Sequence, residues 1–246
     1  ERVPGDYSSR LNVELYPEMP AGDASRTILR VLLDTMEVNR QGVLEDLDSE
    51  FLHDFRVAVR RTRSLLSLMK DTLASESVPR FADEFAWLGR VTGPVRDLDV
   101  YGLKMRGYRK ELPRSVRQQL EPLQDFLGRR RQVEQRKLVR SLRSQRYEKL
   151  VRKWRAFLDH AGEETAEESR RPVRLVASEK IMEAHRKVLK RGYKLETKPT
   201  PARFHRLRIE CKKLRYLLEF FRSLYDPELR KVVKSLKRLQ DILGDF

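Results

Sequence analysis

The 246-residue sequence has little cysteine, glycine or proline, and these absences exclude several classes of protein. With a single cysteine, Cys211, the chain forms no internal disulfide and no cysteine-cluster metal site, which suits a reducing compartment. Eleven glycines and eleven prolines are too few for a turn-dense all-β protein or a Gly/Pro-rich disordered chain. No uninterrupted apolar run approaches the ~18 residues of a transmembrane helix. We therefore expect a cytoplasmic protein without a membrane partner.

Positive charge is abundant and unevenly distributed. Lysine and arginine number 53 against 37 aspartates and glutamates, so the formal net charge is +16. Residues 104–155 hold 18 basic and 5 acidic side chains, whereas residues 1–50 hold 5 and 11. This asymmetry favours an anionic partner for the basic segments, although a basic helix face is also a common solvated surface. The sequence begins with Glu1 rather than Met, and we expect it to be part of a longer protein.

The sequence divides into a short irregular segment and a helical domain. Residues 1–22 contain three prolines and two glycines, which predict a linker or an extended arm. Helical periodicity dominates the rest, with about eight helices and no convincing strand. A glycine and a cluster of acidic residues between Ala161 and Pro172 mark a boundary, so we divide the domain into residues 23–160 and 161–246.

Several residues favour the start of a helix. Thr200 and Asp226 each precede a proline, as expected for a cap followed by the first helical position. Asp23 or Ser25 is predicted to cap the first helix. Residues 113–160 predict one long helix or two broken ones, because the segment has few internal breakers.

An internal repeat is the most informative feature of the sequence. Residues 52–63 (LHDFRVAVRRTR) align with residues 204–215 (FHRLRIECKKLR) at a spacing of 152 residues. Both have an apolar residue, a histidine, an arginine three residues later, two adjacent basic residues and a final arginine. Further along, Gly93 matches Gly244 at a spacing of 151 residues. The chain is therefore predicted to be a duplicated helical unit, which favours a pseudo-two-fold pair of bundles.

The repeated helix concentrates chargeable side chains in a band roughly 80° wide. The first stripe consists of His53, Arg56, Arg60 and Arg63. The second stripe consists of His205, Arg208, Lys212 and Arg215. Like charges at this spacing repel one another, and few carboxylates lie on the stripes, with Glu219 on the second. We infer that a ligand supplies the negative charge, and arginine forks match phosphate oxygens. The alternative is a solvated basic face paired with the acidic residues of 1–50.

These motifs resemble the signatures of the CHAD family, the "conserved histidine α-helical domain". Segment 51–73 resembles the first signature, and segment 203–221 resembles the second even more closely. Residues 93–100 (GPVRDLDV) resemble the family's Arg-Asp loop, and residues 239–244 (LQDILG) resemble the matching segment of the second half. The resemblance covers about 23–246.

The resemblance implies an all-α fold of two pseudo-two-fold-related four-helix bundles enclosing a basic cavity. It also implies binding of inorganic polyphosphate without catalysis, without cofactor or metal, and localisation at polyphosphate granules. The residues expected on this basis to bind polyphosphate are His53, Arg56, Arg60, Arg61, Arg63, Arg90, Arg96, His205, Arg208, Lys212, Lys213, Arg215 and Tyr216.

The same resemblance bears on the full-length protein. Bacterial CHAD domains often follow a CYTH domain, a triphosphate-processing β-barrel, and the resemblance leaves room for one here. Counted from Gly93, the second Arg-Asp loop and the final helix fall beyond Phe246. A truncated chain and a disordered tail both account for this departure.

Two other functions remain open from the sequence. One is an accessory domain or helical enzyme acting on phosphoanhydrides, and the other is sequence-independent nucleic-acid binding. The many arginines of residues 113–155 form either a solvated helix or a second anion surface. Few aromatic residues interleave with them, which disfavours single-strand stacking, and no recognition-helix pattern is present.

Other site chemistries are disfavoured. The four histidines lack HxxxH or HExxH spacing, which argues against zinc. Asp97 and Asp99 fit stabilising acids at the start of a helix better than cation ligands. Cys211 lies on the apolar side of its helix and is expected in the core. Tyr216, at the edge of the second stripe, is expected to pack rather than to hydrogen-bond phosphate.

Overall fold

The computed structural model describes residues 11–73, 76–159 and 167–244. Within these residues it contains eleven α-helices, two short 3-10 turns and no β-strand, which confirms the predicted all-α class. The helices in chain order are α1 (Ala21–Glu45), α2 (Ser49–Leu68), α3 (Ser77–Val91), α4 (Gly93–Glu111), α5 (Arg114–Gln119), α6 (Glu121–Leu142), α7 (Gln145–Asp159), α8 (Glu167–Arg170), α9 (Val173–Thr197), α10 (Pro201–Phe220) and α11 (Leu229–Ile242).

Parts of three predicted features lie outside the described residues. These are positions 1–10 of the predicted arm, positions 161–166 of the predicted boundary and the end of the sequence at Phe246. No helix in the described ranges combines the length and apolar character needed to cross a membrane.

One compact unit is built from Leu32–Arg60 and Pro79–Asp159. It contains the second part of α1, most of α2, and α3 to α7. Its core includes an aromatic cluster in which the Trp154 ring lies 4.7 Å from that of Phe81 and 5.1 Å from that of Phe85, centroid to centroid. All three side chains are buried. Edge-to-face packing of these rings fixes α7 against α3.

The close approach of α1 and α2 in this unit depends on a glycine. A Cβ placed on Gly42 would lie 2.3 Å from the ring of Phe51, well inside van der Waals contact. Phe51 is itself buried. Any side chain at position 42 would therefore displace Phe51 and the start of α2, whose later turns carry the first stripe.

The other compact unit combines Arg10–Val31, Arg61–Val78 and His160–Phe246. Its composition differs from the sequence halves, because α1 and α2 each contribute to both units. The described part of the predicted arm packs within this unit. Leu15 is buried, and its backbone N–H donates to Ser223 Oγ at 3.1 Å.

The observed helix starts agree only in part with the predicted ones. Helix α10 begins directly after Thr200, as predicted. Helix α1 begins earlier than predicted, and the Ser25 hydroxyl donates to the carbonyl of Ala21 at 2.8 Å inside its first turn instead of capping it. Asp226 Oδ1 accepts a hydrogen bond from the backbone of Glu228 at 2.8 Å just before α11. Residues 113–159 form three helices rather than one or two.

Candidate functional site

The first stripe lies on α2, opposite a buried apolar face. Phe55 and Val59 are buried in the core of the first unit. His53, Arg56 and Arg60 are half-buried on the other side of the helix. The division into an apolar and a basic side follows the helical period predicted from the sequence. It leaves the basic groups near the surface but partly removed from water.

Arg56 is anchored to the end of α3. Its Nη1 donates to the carbonyl of Gly89 at 3.1 Å and to Thr92 Oγ1 at 2.8 Å. The Thr92 hydroxyl is fixed in turn, since it donates to the carbonyl of Leu88 at 2.8 Å and is fully buried. Arg56 therefore holds α2 against the α3–α4 corner and sets the direction of the neighbouring basic side chains.

Burial and like charges both disfavour positive charge on the first stripe. Burial, and then repulsion from Arg96, lowers the pKa of His53. Burial, and then repulsion from Arg60, lowers the pKa of Arg56. Arg96 is held near the start of α2 by a hydrogen bond from its Nη1 to the carbonyl of Ser49 at 3.2 Å. A bound anion would reverse this unfavourable balance.

Arg60 carries an unsatisfied donor. Its Nε is buried and has no hydrogen-bond partner among the described residues. A buried donor without a partner costs roughly 1–3 kcal/mol unless water or a ligand accepts its hydrogen bond. The Nε of Arg56 is also buried without a partner in the described part of the chain, but Arg56 Nη1 already donates to Gly89 and Thr92. Arg60 is therefore the half-buried arginine of the first stripe better suited to hold a phosphate oxygen.

Arg208 repeats the anchoring of Arg56 in the second unit. Its Nε donates to the carbonyl of Gln240 at 3.2 Å. Gln240 stands 151 residues after Gly89, whose carbonyl holds Arg56. A Cβ on Gly244 would lie 3.1 Å from Arg208 Nη2, so this glycine lets the guanidinium approach closely. The repeat thus extends to equivalent backbone carbonyls that hold equivalent arginines.

Glu219 neutralises two arginines within the second unit. Its Oε2 accepts from Arg61 Nη2 at 2.8 Å, and its Oε1 accepts from Arg215 Nη1 at 2.5 Å. Glu219, the carboxylate predicted on the second stripe, therefore binds Arg61 of α2 as well as Arg215 of its own helix. Arg215 also donates from Nε to the Oε1 of Gln240 at 3.3 Å.

The Tyr216 ring lies next to two basic side chains of the second stripe. It is 2% exposed, and its ring lies 6.0 Å from that of Phe220. The Arg215 guanidinium carbon lies 4.9 Å, and Lys212 Nζ 5.7 Å, from the centroid of the tyrosine ring. These distances permit cation–π attraction and fit the packing role expected for Tyr216.

Lys213, expected among the polyphosphate-binding residues, lies outside the second stripe. It projects about 100° around α10 from Lys212. Its Nζ lies 3.2 Å from Glu210 Oε1, and it lines a separate pocket of 290 Å³ that also contains Lys180 and Lys187.

The remaining expected residues are peripheral or act through others. The exposed members are Arg63, Arg90 and His205. Arg96 approaches Glu50 Oε1 at 3.4 Å, and its charge adds to burial in lowering the pKa values of His53 and Arg56.

The sequence did not identify the groups that hold the stripes. Gln240 is the clearest case: its buried side-chain amide donates to the carbonyls of Cys211 at 3.4 Å and Leu236 at 3.1 Å. The available signal was the repeat itself, since Gly89 and Gln240 occupy the same register. Cys211 is buried, as expected for a core residue, and burial raises the pKa of its thiol to about 11.

No cluster of three histidine, cysteine, aspartate or glutamate side chains in the described ranges has the geometry of a metal site. The chemistry of the two stripes is that of hydrogen-bond donors and positive charge. Such an arrangement binds anions with several oxygens.

The chain is similar in sequence to two curated proteins. The chain is 28% identical over 241 residues to two uncharacterized proteins of Mycobacterium tuberculosis, from strains CDC 1551 and H37Rv. These matches cover 93% of this chain but 44% of each relative, so the chain spans less than half the length of these relatives.

Two solved structures are similar in fold. The crystal structure of the CHAD domain from the plant Ricinus communis matches with a TM-score of 0.81 and 27% identity, covering 98% of this chain and 80% of that one. PptA from Streptomyces chartreusis matches with a TM-score of 0.62 and 16% identity, covering 89% and 81%, which shows a shared fold alone. The sequence model of the CHAD domain matches residues 27–246, and the chain therefore belongs to the CHAD domain family.

Proposed function

We propose that this CHAD domain binds inorganic polyphosphate without catalysis, through the two stripes, and directs the protein that carries it to polyphosphate granules. The observation that carries the proposal is the repeated anchored arginine, Arg56 in one unit and Arg208 in the other. Each anchor stands four residues before a basic side chain, Arg60 or Lys212.

The spacing of the basic groups suits a chain of linked phosphates. Residues four apart on a helix are separated by about 6 Å along its axis and lie on the same face. Arg60 offers a planar guanidinium, and Lys212 offers a mobile point charge, so the two stripes present different donors to the same kind of oxygen. Burial, and then repulsion from Arg96 and Arg60, lowers the pKa values of His53 and Arg56, so a ligand that brings several negative charges at once would favour their charged forms.

Single substitutions test the role of the stripes. Arg60→Ala and Lys212→Ala are each expected to weaken binding of long-chain polyphosphate about tenfold or more, because each removes a charge-assisted hydrogen bond of roughly 1.5–3 kcal/mol. The measurement is a calorimetric titration at fixed salt, with circular dichroism to check that the helices persist.

Matched controls separate this effect from loss of net charge. Arg80→Ala in the first unit and Lys231→Ala in the second remove one exposed positive charge each and are expected to change affinity less than twofold. Equal losses in controls and stripe variants would contradict the proposed site. Release of orthophosphate from polyphosphate by the pure chain, with or without Mg²⁺, would instead support a phosphoanhydride-cleaving enzyme.

A further inference from the structure

A second basic surface lies on α4, α5 and α6, within the first unit. These helices enclose a pocket of 570 Å³ whose apolar walls include Met105 and Leu127. Its basic lining consists of Arg106, Arg109, Lys110 and Arg117. No member of the stripes lines this pocket.

The arginines of the pocket are positioned mainly by neutral partners. Arg117 donates from Nε to the carbonyl of Leu112 at 2.8 Å and from Nη2 to the carbonyl of Lys110 at 3.2 Å. Arg109 donates to the side-chain carbonyl of Gln124 at 3.2 Å, and its nearest carboxylate, that of Glu121, is 3.7 Å away. Backbone oxygens fix Arg117 without cancelling its charge. Among the four basic lining residues, an ion pair within the described ranges is seen only for Arg109, with Glu121, so the pocket keeps an attraction for an anion.

Two exposed tyrosines lie on α4 on either side of Met105, which lines the pocket. Tyr101 is 59% exposed and Tyr108 is 57% exposed. They stand four residues before and three residues after Met105, so all three share one ridge of α4, with the tyrosines about 10 Å apart along the helix. Exposed aromatic rings at a basic pocket are typical of surfaces on which nucleotide bases stack.

We propose that this surface binds single-stranded nucleic acid, with bases stacked on Tyr101 and Tyr108 and phosphates held by the arginine pocket. The combination of rings and cations favours this ligand over polyphosphate, which has no base to stack. A duplex is disfavoured because its bases are already stacked on one another. Few aromatic residues interleave with the arginines of residues 113–155, and the exposed tyrosine rings of this surface come instead from α4.

The test uses a short fluorescent oligouridylate and measures anisotropy at fixed salt. Tyr101→Ala and Tyr108→Ala are each expected to weaken binding about tenfold, whereas the phenylalanine variants keep wild-type affinity because the stacking ring remains. Tyr193→Ala on α9 is the matched control, since this tyrosine is 65% exposed and lies in the other unit. The control is expected to bind as the wild type does.

Two further measurements distinguish the surface from the stripes. The tyrosine variants are expected to bind long-chain polyphosphate with unchanged affinity. Arg106→Ala is expected to reduce the slope of log oligouridylate affinity against log salt by the amount of about one phosphate contact. Wild-type oligouridylate affinity in the Tyr101→Ala/Tyr108→Ala double variant would overturn the proposal. Equal losses for oligouridylate and polyphosphate would also overturn it.

Discussion

Glu219 occupies donors that a phosphate group would otherwise use. It accepts from Arg61 and Arg215, two members of the expected polyphosphate-binding set. We expect Glu219→Gln to raise the affinity for long-chain polyphosphate several-fold, because a neutral amide leaves the charge of both arginines uncompensated. The measurement is a calorimetric titration of the two proteins at the same salt concentration.

An exposed glutamate provides the control for this substitution. Glu228 pairs with Lys231 at 2.7 Å, and both side chains are largely exposed. Glu228→Gln changes the net charge by the same amount and is expected to change affinity less than Glu219→Gln does. A fall in affinity on Glu219→Gln would mean that the carboxylate positions the arginines instead of competing for them.

Titration of His53 is expected to change the free energy of unfolding and the polyphosphate affinity in opposite directions as the pH falls. Burial, and then Arg96, lowers its pKa below the ordinary 6.5, so below about pH 6.5 the unfolded chain binds the proton more readily. The stability that neutral His53 contributes is therefore expected to be fully present above that pH. The free energy of unfolding is expected to fall as the pH drops toward the lowered pKa of the folded protein. We expect bound polyphosphate to raise the pKa of His53, so that binding takes up a proton and affinity rises as the pH falls over the same interval.

Two experiments on His53→Gln check both trends. Denaturant unfolding follows the stability of the free protein, and calorimetry in buffers of different ionisation enthalpy follows the proton taken up on binding. The variant is expected to lose both pH dependences between about pH 7 and pH 5.5. A proton uptake that survives the substitution would assign it to another group.

Helix α6 is tied to its neighbours by one arginine. Arg131 donates from Nε to Asp99 Oδ1 at 2.6 Å and from both terminal nitrogens to the Asp46 carboxylate at 2.6 Å. The Asp99 side chain is 4% exposed. We expect Arg131→Ala to lower the free energy of unfolding by roughly 3 kcal/mol, because it leaves a buried carboxylate without its counter-charge.

Urea unfolding of three proteins tests this role. Arg136→Ala, an exposed position on the same helix, is the control and is expected to change stability by less than about 0.5 kcal/mol. Adding Asp99→Asn to Arg131→Ala removes the stranded charge and is expected to restore part of the loss. No recovery in the double variant would attribute the loss to packing of the arginine side chain.

Local sequence signals predicted helices better than their breaks. The proline after Thr200 marks the start of α10, because proline is favoured at the first position of a helix. The break between α6 and α7 has no glycine or proline, and its signal is the Ser144 hydroxyl, which accepts from the backbone of Tyr147 at 3.3 Å. A serine in a polar helix is too common for such a cap to be recognised from sequence alone.

The candidate site was predictable where it depends on helix phase. The period of α2 and α10 places basic and apolar residues on opposite sides, and it also separates Lys213 from Lys212. Tertiary contacts decide which arginine side chains already have a hydrogen-bond acceptor in the folded protein. Arg61 and Glu219 are 158 residues apart in sequence, and no local pattern predicts that they pair.

At the scale of the whole molecule, one chain carries two separate basic stripes and a net charge of +16. On the proposed function, we expect orthophosphate to fill the donors of one stripe and to gain little, because each half-exposed position competes with water. We expect a long polyphosphate to offer many phosphates to both stripes, so that contact with one raises the effective concentration at the other. It also releases condensed counterions, by analogy with the phosphates of nucleic acids.

Affinity is therefore expected to rise from orthophosphate to tripolyphosphate to long-chain polyphosphate, and log affinity to fall linearly with log salt most steeply for the longest ligand. The measurement is a titration with the three ligands at two salt concentrations. Lys212→Ala should reduce the gain from chain length, since it weakens one stripe and leaves the other unchanged, whereas Lys231→Ala should preserve it. Equal affinity per molecule for all three ligands would contradict cooperation between the two stripes and would indicate a single anion pocket.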